Sequence, residues 1–180
     1  TKDGRSIKVY ANVGGVADTQ AAMNNGAEGV GLYRIERAYL GRQHPPGVKA
    51  LLKEIQQTLE PAKGLPVYVR LLDVGADKPL PFLEQFTEIN PSLGLRGIRF
   101  LEKYPELLQT QLDALLQLSA SFNLHILVPM VTLPRDMKWV KDLLNQTAAE
   151  HGVSDVPHLG AMIETPAAAL SAREIIEHAD

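Results

Sequence analysis

The chain contains no cysteine. Within these 180 residues there is therefore no disulfide, no thiolate metal ligand and no cysteine nucleophile, a composition that suits a reducing cytoplasm. Long hydrophobic runs are missing as well. Nothing approaches the roughly 18 unbroken apolar residues of a membrane helix, so no membrane insertion is expected. The opening stretch from Thr1 to Val13 is interrupted by Lys2, Asp3, Arg5 and Lys8 and does not read as a signal peptide. Nor is charge of one sign massed anywhere: the 18 basic residues are scattered and the net charge is -3, which argues against a nucleic-acid surface. There is no low-complexity tract and no internal repeat.

What remains is an ordinary globular composition, 45% hydrophobic and 22% charged, with 14 Gly and 12 Pro to punctuate it. Short apolar runs alternate with stretches of helical period. The strand candidates are Ile7 to Val13, Gly29 to Tyr33, Pro66 to Leu72, Gly97 to Phe100, Leu124 to Met130 and Leu159 to Glu164. Several are continuous apolar runs, as in strands covered on both faces. Between them, Val48, Leu51, Leu52, Ile55 and Leu59 form one buried helical stripe; Leu108, Leu112, Leu115 and Leu116 form another, and Met137, Val140, Leu143 and Leu144 a third. Asp18 is placed to cap a helix leading to Gly26, Pro105 and Pro134 to open helices, and Thr165 to cap a helix with Pro166 at its first position. About six β/α units result, which means an α/β fold with a parallel sheet, either doubly wound or closed as a barrel.

In a parallel α/β barrel, the carboxyl ends of the strands carry the chemistry. Standing there are Asn12, Arg34 with Glu36, Arg70 with Asp73, Arg96 and Arg99 about the fourth run, Met130, and Glu164. Arginines converging on one mouth suit a phosphate or carboxylate, because the planar fork offers paired donors and stays protonated. The alternative for each is a pairing with a neighbouring acid such as Glu36, Asp73, Asp77 or Glu102. Glu164 reads either as a Mg²⁺ ligand or as a charge resting beside a helix amino terminus. The charged loop from Asp73 to Pro81 suits substrate ordering or simple connection. Gly29-Val30-Gly31 lacks the third glycine of a dinucleotide fingerprint, and the five histidines show no ligand spacing and read as surface or structural residues.

Four ordered segments, Gly26 to Arg34, Val69 to Pro81, Asn90 to Arg99 and Gly160 to Ala169, resemble the phosphoenolpyruvate-binding barrel of Enzyme I, the phosphoenolpyruvate-protein phosphotransferase of the bacterial sugar phosphotransferase system. The resemblance spans essentially all 180 residues. It implies a TIM-type (β/α)8 barrel of the phosphoenolpyruvate/pyruvate class, with residues 1–180 forming a partial barrel domain that holds strands 1 to 6 and lacks strands 7 and 8. It further implies that Arg34 and Arg70 bind the phosphate of phosphoenolpyruvate, that Arg96 is a third cation of the pocket, and that Glu164 binds Mg²⁺. Three positions depart from the family's pattern: Ile35 stands where Thr is usual, Arg37 where Phe is usual, and Ala76 where a glycine is usual.

By the same resemblance, the phosphoryl group passes to a histidine on another domain and then to the carrier protein HPr. The catalytic residues, that histidine and an acid cysteine, lie outside this chain, and the barrel domain mediates homodimerisation in the cytoplasm. The alternatives are a non-catalytic binding or dimerisation module of the same fold, or a fragment of a phosphoenolpyruvate synthase or pyruvate phosphate dikinase relative. A complete barrel takes about 250 residues, so these residues alone are expected to leave an open edge and show little turnover.

Overall fold

The computed structural model describes residues 2–75, 80–83 and 88–180. Five strands, β1 (Ala11–Val13), β2 (Val30–Arg34), β3 (Pro66–Arg70), β4 (Asn123–Val128) and β5 (His158–Ala161), form one sheet in the order β1-β2-β3-β4-β5. Every pairing is parallel. The helices are α1 (Val16–Asn24), α2 (Val48–Leu59), α3 (Ile98–Lys103), α4 (Pro105–Ser119), α5 (Pro134–His151), α6 (Pro166–Leu170) and α7 (Ala172–Ile176). α1 packs on α2, α2 on α4, α4 on α5 and α5 on α7. Strands in sequential order, covered by helices that meet as one continuous layer, wind in a single direction. A doubly wound sheet reverses its strand order at a switch point, and none occurs among the described strands. The sheet is open, with β1 and β5 at its edges.

The core lies between that helical layer and the sheet. Val67, Val69, Leu124, Ile126, Val128 and Leu159 point into it from the strands, while Leu51, Ile55, Leu108, Leu112, Leu115, Val140 and Leu144 meet them from the helical stripes. The period-2 pleat sends the intervening residues to the opposite face. There Tyr68, His125 and His158 are register partners on three adjacent strands. Their rings stack, with Tyr68 and His125 centroids 4.4 Å apart and His125 and His158 5.5 Å apart. The stripes and the Pro105, Pro134 and Thr165-Pro166 starts form as the sequence predicts, with Thr165 Oγ1 accepting from the Ala168 N–H at 3.1 Å.

Three local expectations are corrected. Gly97 to Phe100 is not a strand: Gly97 takes φ +55° ahead of α3, and Ile98, Phe100 and Leu101 are buried on a short helix. A four-residue apolar run fits either state, and here a backbone turn that favours glycine decides for the helix. The described residues therefore hold five strands, not six. The first strand is shorter than Ile7 to Val13, with Ile7 and Val9 each 66% exposed ahead of the paired residues. Asp18 lies inside the first turn of α1, whose N-cap is Gly15, and reaches back to accept the Gly14 N–H at 2.9 Å.

The histidine row carries a pH signature. Burial holds the His125 imidazole below its ordinary pKa, and the neighbouring His158 adds to the shift. Tyr68 faces the same ring from β3, and Asp180 approaches the far side of His158 at 3.9 Å. A folded pKa below the unfolded value of about 6.5 means that the unfolded chain binds more protons as pH falls through that value, so the stability contributed by neutral His125 is lost on acidification. Urea unfolding should show lower stability at about pH 5.5 than at about pH 7.5, with a smaller fall in His125→Gln. Equal falls in both proteins would contradict this.

Candidate functional site

Parallel strands bring their carboxyl ends to one edge of the sheet. Arg34, the last residue of β2, and Arg70, the last of β3, are register partners there. Immediately after Arg34 the chain tightens into a 3-10 turn, Ile35–Ala38, that buries Ile35 and Ala38 and also buries Glu36. The Glu36 carboxylate is thereby turned inward toward β3. Its Oε1 accepts from Arg70 Nη2 at 2.8 Å and from the Asp73 backbone N–H at 3.1 Å.

Asp73 is the second buried carboxylate. Its Oδ2 stands 3.2 Å from Arg70 Nη1, and its two oxygens take the Arg96 guanidinium as a fork, Nε to Oδ1 at 3.0 Å and Nη2 to Oδ2 at 2.8 Å. The side chains of Glu36, Arg70, Asp73 and Arg96 are between 4% and 14% exposed, so these bonds form largely out of water. Charge-assisted contacts of this kind are strong, and the bidentate one also fixes orientation. The alternative that the sequence left open, arginine paired with a nearby acid, therefore holds for Arg70 and Arg96.

Arg96 arrives differently from the sequence expectation. It sits on the loop before α3, not at a strand end. Gly75 permits its approach: a Cβ built there would lie 2.8 Å from the Arg96 Cβ and 2.9 Å from the Leu95 carbonyl oxygen. Arg99 serves the same loop, donating to the Gly94 carbonyl and to Thr132 Oγ1. Of the charged loop after β3, Ala76, Asp77, Lys78 and Pro79 lie outside the described residues.

Arg34 has no ion-pair partner among the described residues. It lines a pocket of about 390 Å³ with Gly14, Asp18, Glu36, Arg37, Leu40 and Arg70. In the core, burial pushes the Tyr33 and Tyr39 phenols above their ordinary range, so both remain neutral. Glu164 follows β5 on the same edge and is exposed, with its Oε1 accepting the Met130 N–H at 2.7 Å. That contact anchors one carboxylate oxygen, on a residue held at φ +59°. Among the described residues, no group of three or more His, Asp or Glu side chains gathers to hold a metal.

The structure thus brings Arg34 and Arg70 to one pocket and ties Arg96 to it through Asp73. Glu164 stands three strands along the edge from Arg34. Glu36 and Asp73 appeared in the sequence only as possible partners, and their role as a shared support was not legible there. Arg37 was visible only as an unusual residue. It lies within the turn that Arg34 caps and borders the same pocket.

Removing a buried carboxylate leaves its guanidinium uncompensated. Glu36→Ala should destabilise the protein by about 3 kcal/mol in urea unfolding, with Glu36→Gln losing less because it keeps an acceptor for the Asp73 N–H. A loss within about 0.5 kcal/mol for the alanine variant would show that the network is not a support.

Comparison with known proteins identifies the family. The family model described as PEP-utilising enzyme, PEP-binding domain, matches residues 1–180. The chain is 39% identical to multiphosphoryl transfer protein 2 of Escherichia coli over 171 residues, covering 92% of this chain and 20% of that protein. It is 40% identical to phosphoenolpyruvate-protein phosphotransferases of Haloferax volcanii and Listeria monocytogenes, over 188 and 185 residues, covering all of this chain and 33% and 32% of those proteins. The chain spans about a third or less of the length of these curated relatives. With a parallel α/β sheet whose carboxyl edge gathers arginines about one pocket, and a family match along its whole length, the chain belongs to the PEP-utilising enzymes and comprises sequence of their PEP-binding domain.

Proposed function

We propose that this chain is the phosphoenolpyruvate-binding part of an enzyme that moves the phosphoryl group from phosphoenolpyruvate to a histidine on another domain, and from there to an HPr-type carrier protein. The observation that carries the reading is the pairing of Arg34 and Arg70 on adjacent strand ends, facing one pocket. Arg70 is held in place by Glu36 and Asp73, whereas Arg34 has no counter-ion among the described residues and is left for an anionic ligand.

The chemistry follows from that division. In the transfer, the bond from phosphorus to the enol oxygen breaks as a bond to the histidine nitrogen forms, and the enolate of pyruvate leaves with the bonding pair and takes up a proton at carbon to give pyruvate. The transition state is loose and needs positioning and charge neutralisation more than covalent help. Arg34 would hold the phosphate oxygens directly. Arg70 keeps N–H groups beyond those given to Glu36 and Asp73, since a guanidinium carries five donors. Its orientation is therefore fixed before substrate arrives, which lowers the reorganisation required at the moment of reaction. Arg96 contributes positive charge from behind Asp73.

For Mg²⁺ the fit is that of a single carboxylate ligand. Glu164 is exposed, with one oxygen fixed by the Met130 N–H, and Mg²⁺ takes one or two carboxylates and completes its shell with water and substrate oxygens. When bound, the ion would supply charge neutralisation at the phosphate. We assign residues 1–180 to a partial (β/α)8 barrel domain. Single winding supports this, as does an apolar cleft beside β5, lined by Ala161, Ile163, Ala172, Ile175 and Ile176, where a further β/α unit would pack. Cytoplasmic location and homodimerisation through the barrel belong to the same reading.

The test is phosphorylation of the intact protein by phosphoenolpyruvate in the presence of Mg²⁺. Arg34→Ala should lower the rate of phosphohistidine formation on the order of a hundredfold while thermal unfolding stays near that of the wild type. A rate close to the wild type in a folded variant would rule out the assigned role.

A further inference from the structure

Arg37 lies outside the set of groups assigned so far. It is exposed and, like Arg34, has no ion-pair partner among the described residues. Arg34 is the N-cap of the 3-10 turn and Arg37 lies within it; both side chains are exposed and border the same pocket. Two adjacent glycines report where the guanidinium groups rest. A Cβ built on Gly14 would lie 3.6 Å from Arg34 Nη2. One built on Gly15 would lie 2.7 Å from Arg37 Nη1 and 3.1 Å from its Cζ. The guanidinium of Arg37 thus covers Gly15 next to the one that borders Gly14, and both line the same pocket.

Two carboxylates border the pocket, each with one oxygen bonded within the protein, and the buried Glu36 Oε2 has no hydrogen-bond partner. Glu36 is held by Arg70 and the Asp73 N–H, and Asp18 Oδ2 by the Gly14 N–H, although Asp18 also borders the pocket. Glu36 is paired with Arg70, so the two arginines that lack an ion-pair partner share the pocket with one further acid, Asp18, and a doubly charged anion offsets their mutual repulsion better than a singly charged one.

We propose that Arg37 is a second phosphate-binding residue of this pocket and makes it select a dianionic phosphate over a carboxylate. This rests on the reading of the pocket as a phosphoenolpyruvate site. Side by side, Arg34 and Arg37 present two planar forks to one phosphate group, while the carboxylate end of the ligand is left to other residues.

Calorimetric titration of the intact protein with phosphoenolpyruvate, inorganic phosphate and pyruvate tests it. In Arg37→Ala, affinity for phosphoenolpyruvate and for inorganic phosphate should fall about tenfold, pyruvate affinity should be unchanged, and Arg37→Lys should recover most of the loss. Phosphoenolpyruvate affinity within twofold of the wild type in Arg37→Ala, alongside a clear loss in Arg34→Ala, would overturn the role of Arg37 and leave the pocket reading standing. Equal weakening for all three ligands would show a structural effect and also overturn it. Failure of the wild type to bind phosphoenolpyruvate would overturn the pocket reading and this assignment together.

Discussion

Two buried carboxylates, Glu36 and Asp73, decide which of the arginines around the pocket are already paired. Glu36 is carried inward by the 3-10 turn after β2, and Asp73 follows β3, so the pair bridges two adjacent strand ends. Together they pair with Arg70 and Arg96, while Arg34 and Arg37, which share the pocket with Arg70, are left without an ion-pair partner among the described residues. A cationic site built without such carboxylates would carry four mutually repelling guanidinium groups. With them, Arg70 and Arg96 are held in fixed positions, Arg70 still bordering the pocket, and Arg34 and Arg37 keep no counter-ion among the described residues. Breaking a buried pair by removing one member is costly, and the network resists rearrangement for that reason.

That arrangement depends on the fold beneath it. Parallel strands in sequential order place their carboxyl ends side by side, so residues separated by 36 positions in the chain, Arg34 and Arg70, become neighbours by register. The strands can be this apolar because the helical layer covers one face, with the Leu51, Ile55 and Leu112 stripes packed on Val67, Val69 and Ile126. The other face carries the Tyr68, His125 and His158 row. The two faces divide the work: one supplies cohesion, and the edge between them supplies charge.

Much of the scaffold was legible in the sequence. Helical stripes and proline or threonine starts are local signals, and α2, α4 and α5 formed where they pointed. Gly97 to Phe100 misled because four apolar residues carry too little period to separate strand from helix, and the backbone at Gly97 settled the matter. The site was legible in its residue types but not in its pairings. Whether Arg70 meets a ligand or Glu36 depends on a turn that rotates one carboxylate inward, and sequence spacing does not encode that rotation. Gly75 looked like a turn residue, yet its function is to let Arg96 approach. For Glu164, the sequence marked the position and the structure added the Met130 N–H that anchors it.

The most direct measurement is a crystal structure of the intact protein with bound phosphoenolpyruvate. The phosphate should rest against Arg34 beside Gly14, with Arg70 still bonded to Glu36 and Asp73. A phosphate bound away from Arg34, or an Arg70 that abandons Glu36 to reach the ligand, would contradict the division of the arginines on which the proposed site depends.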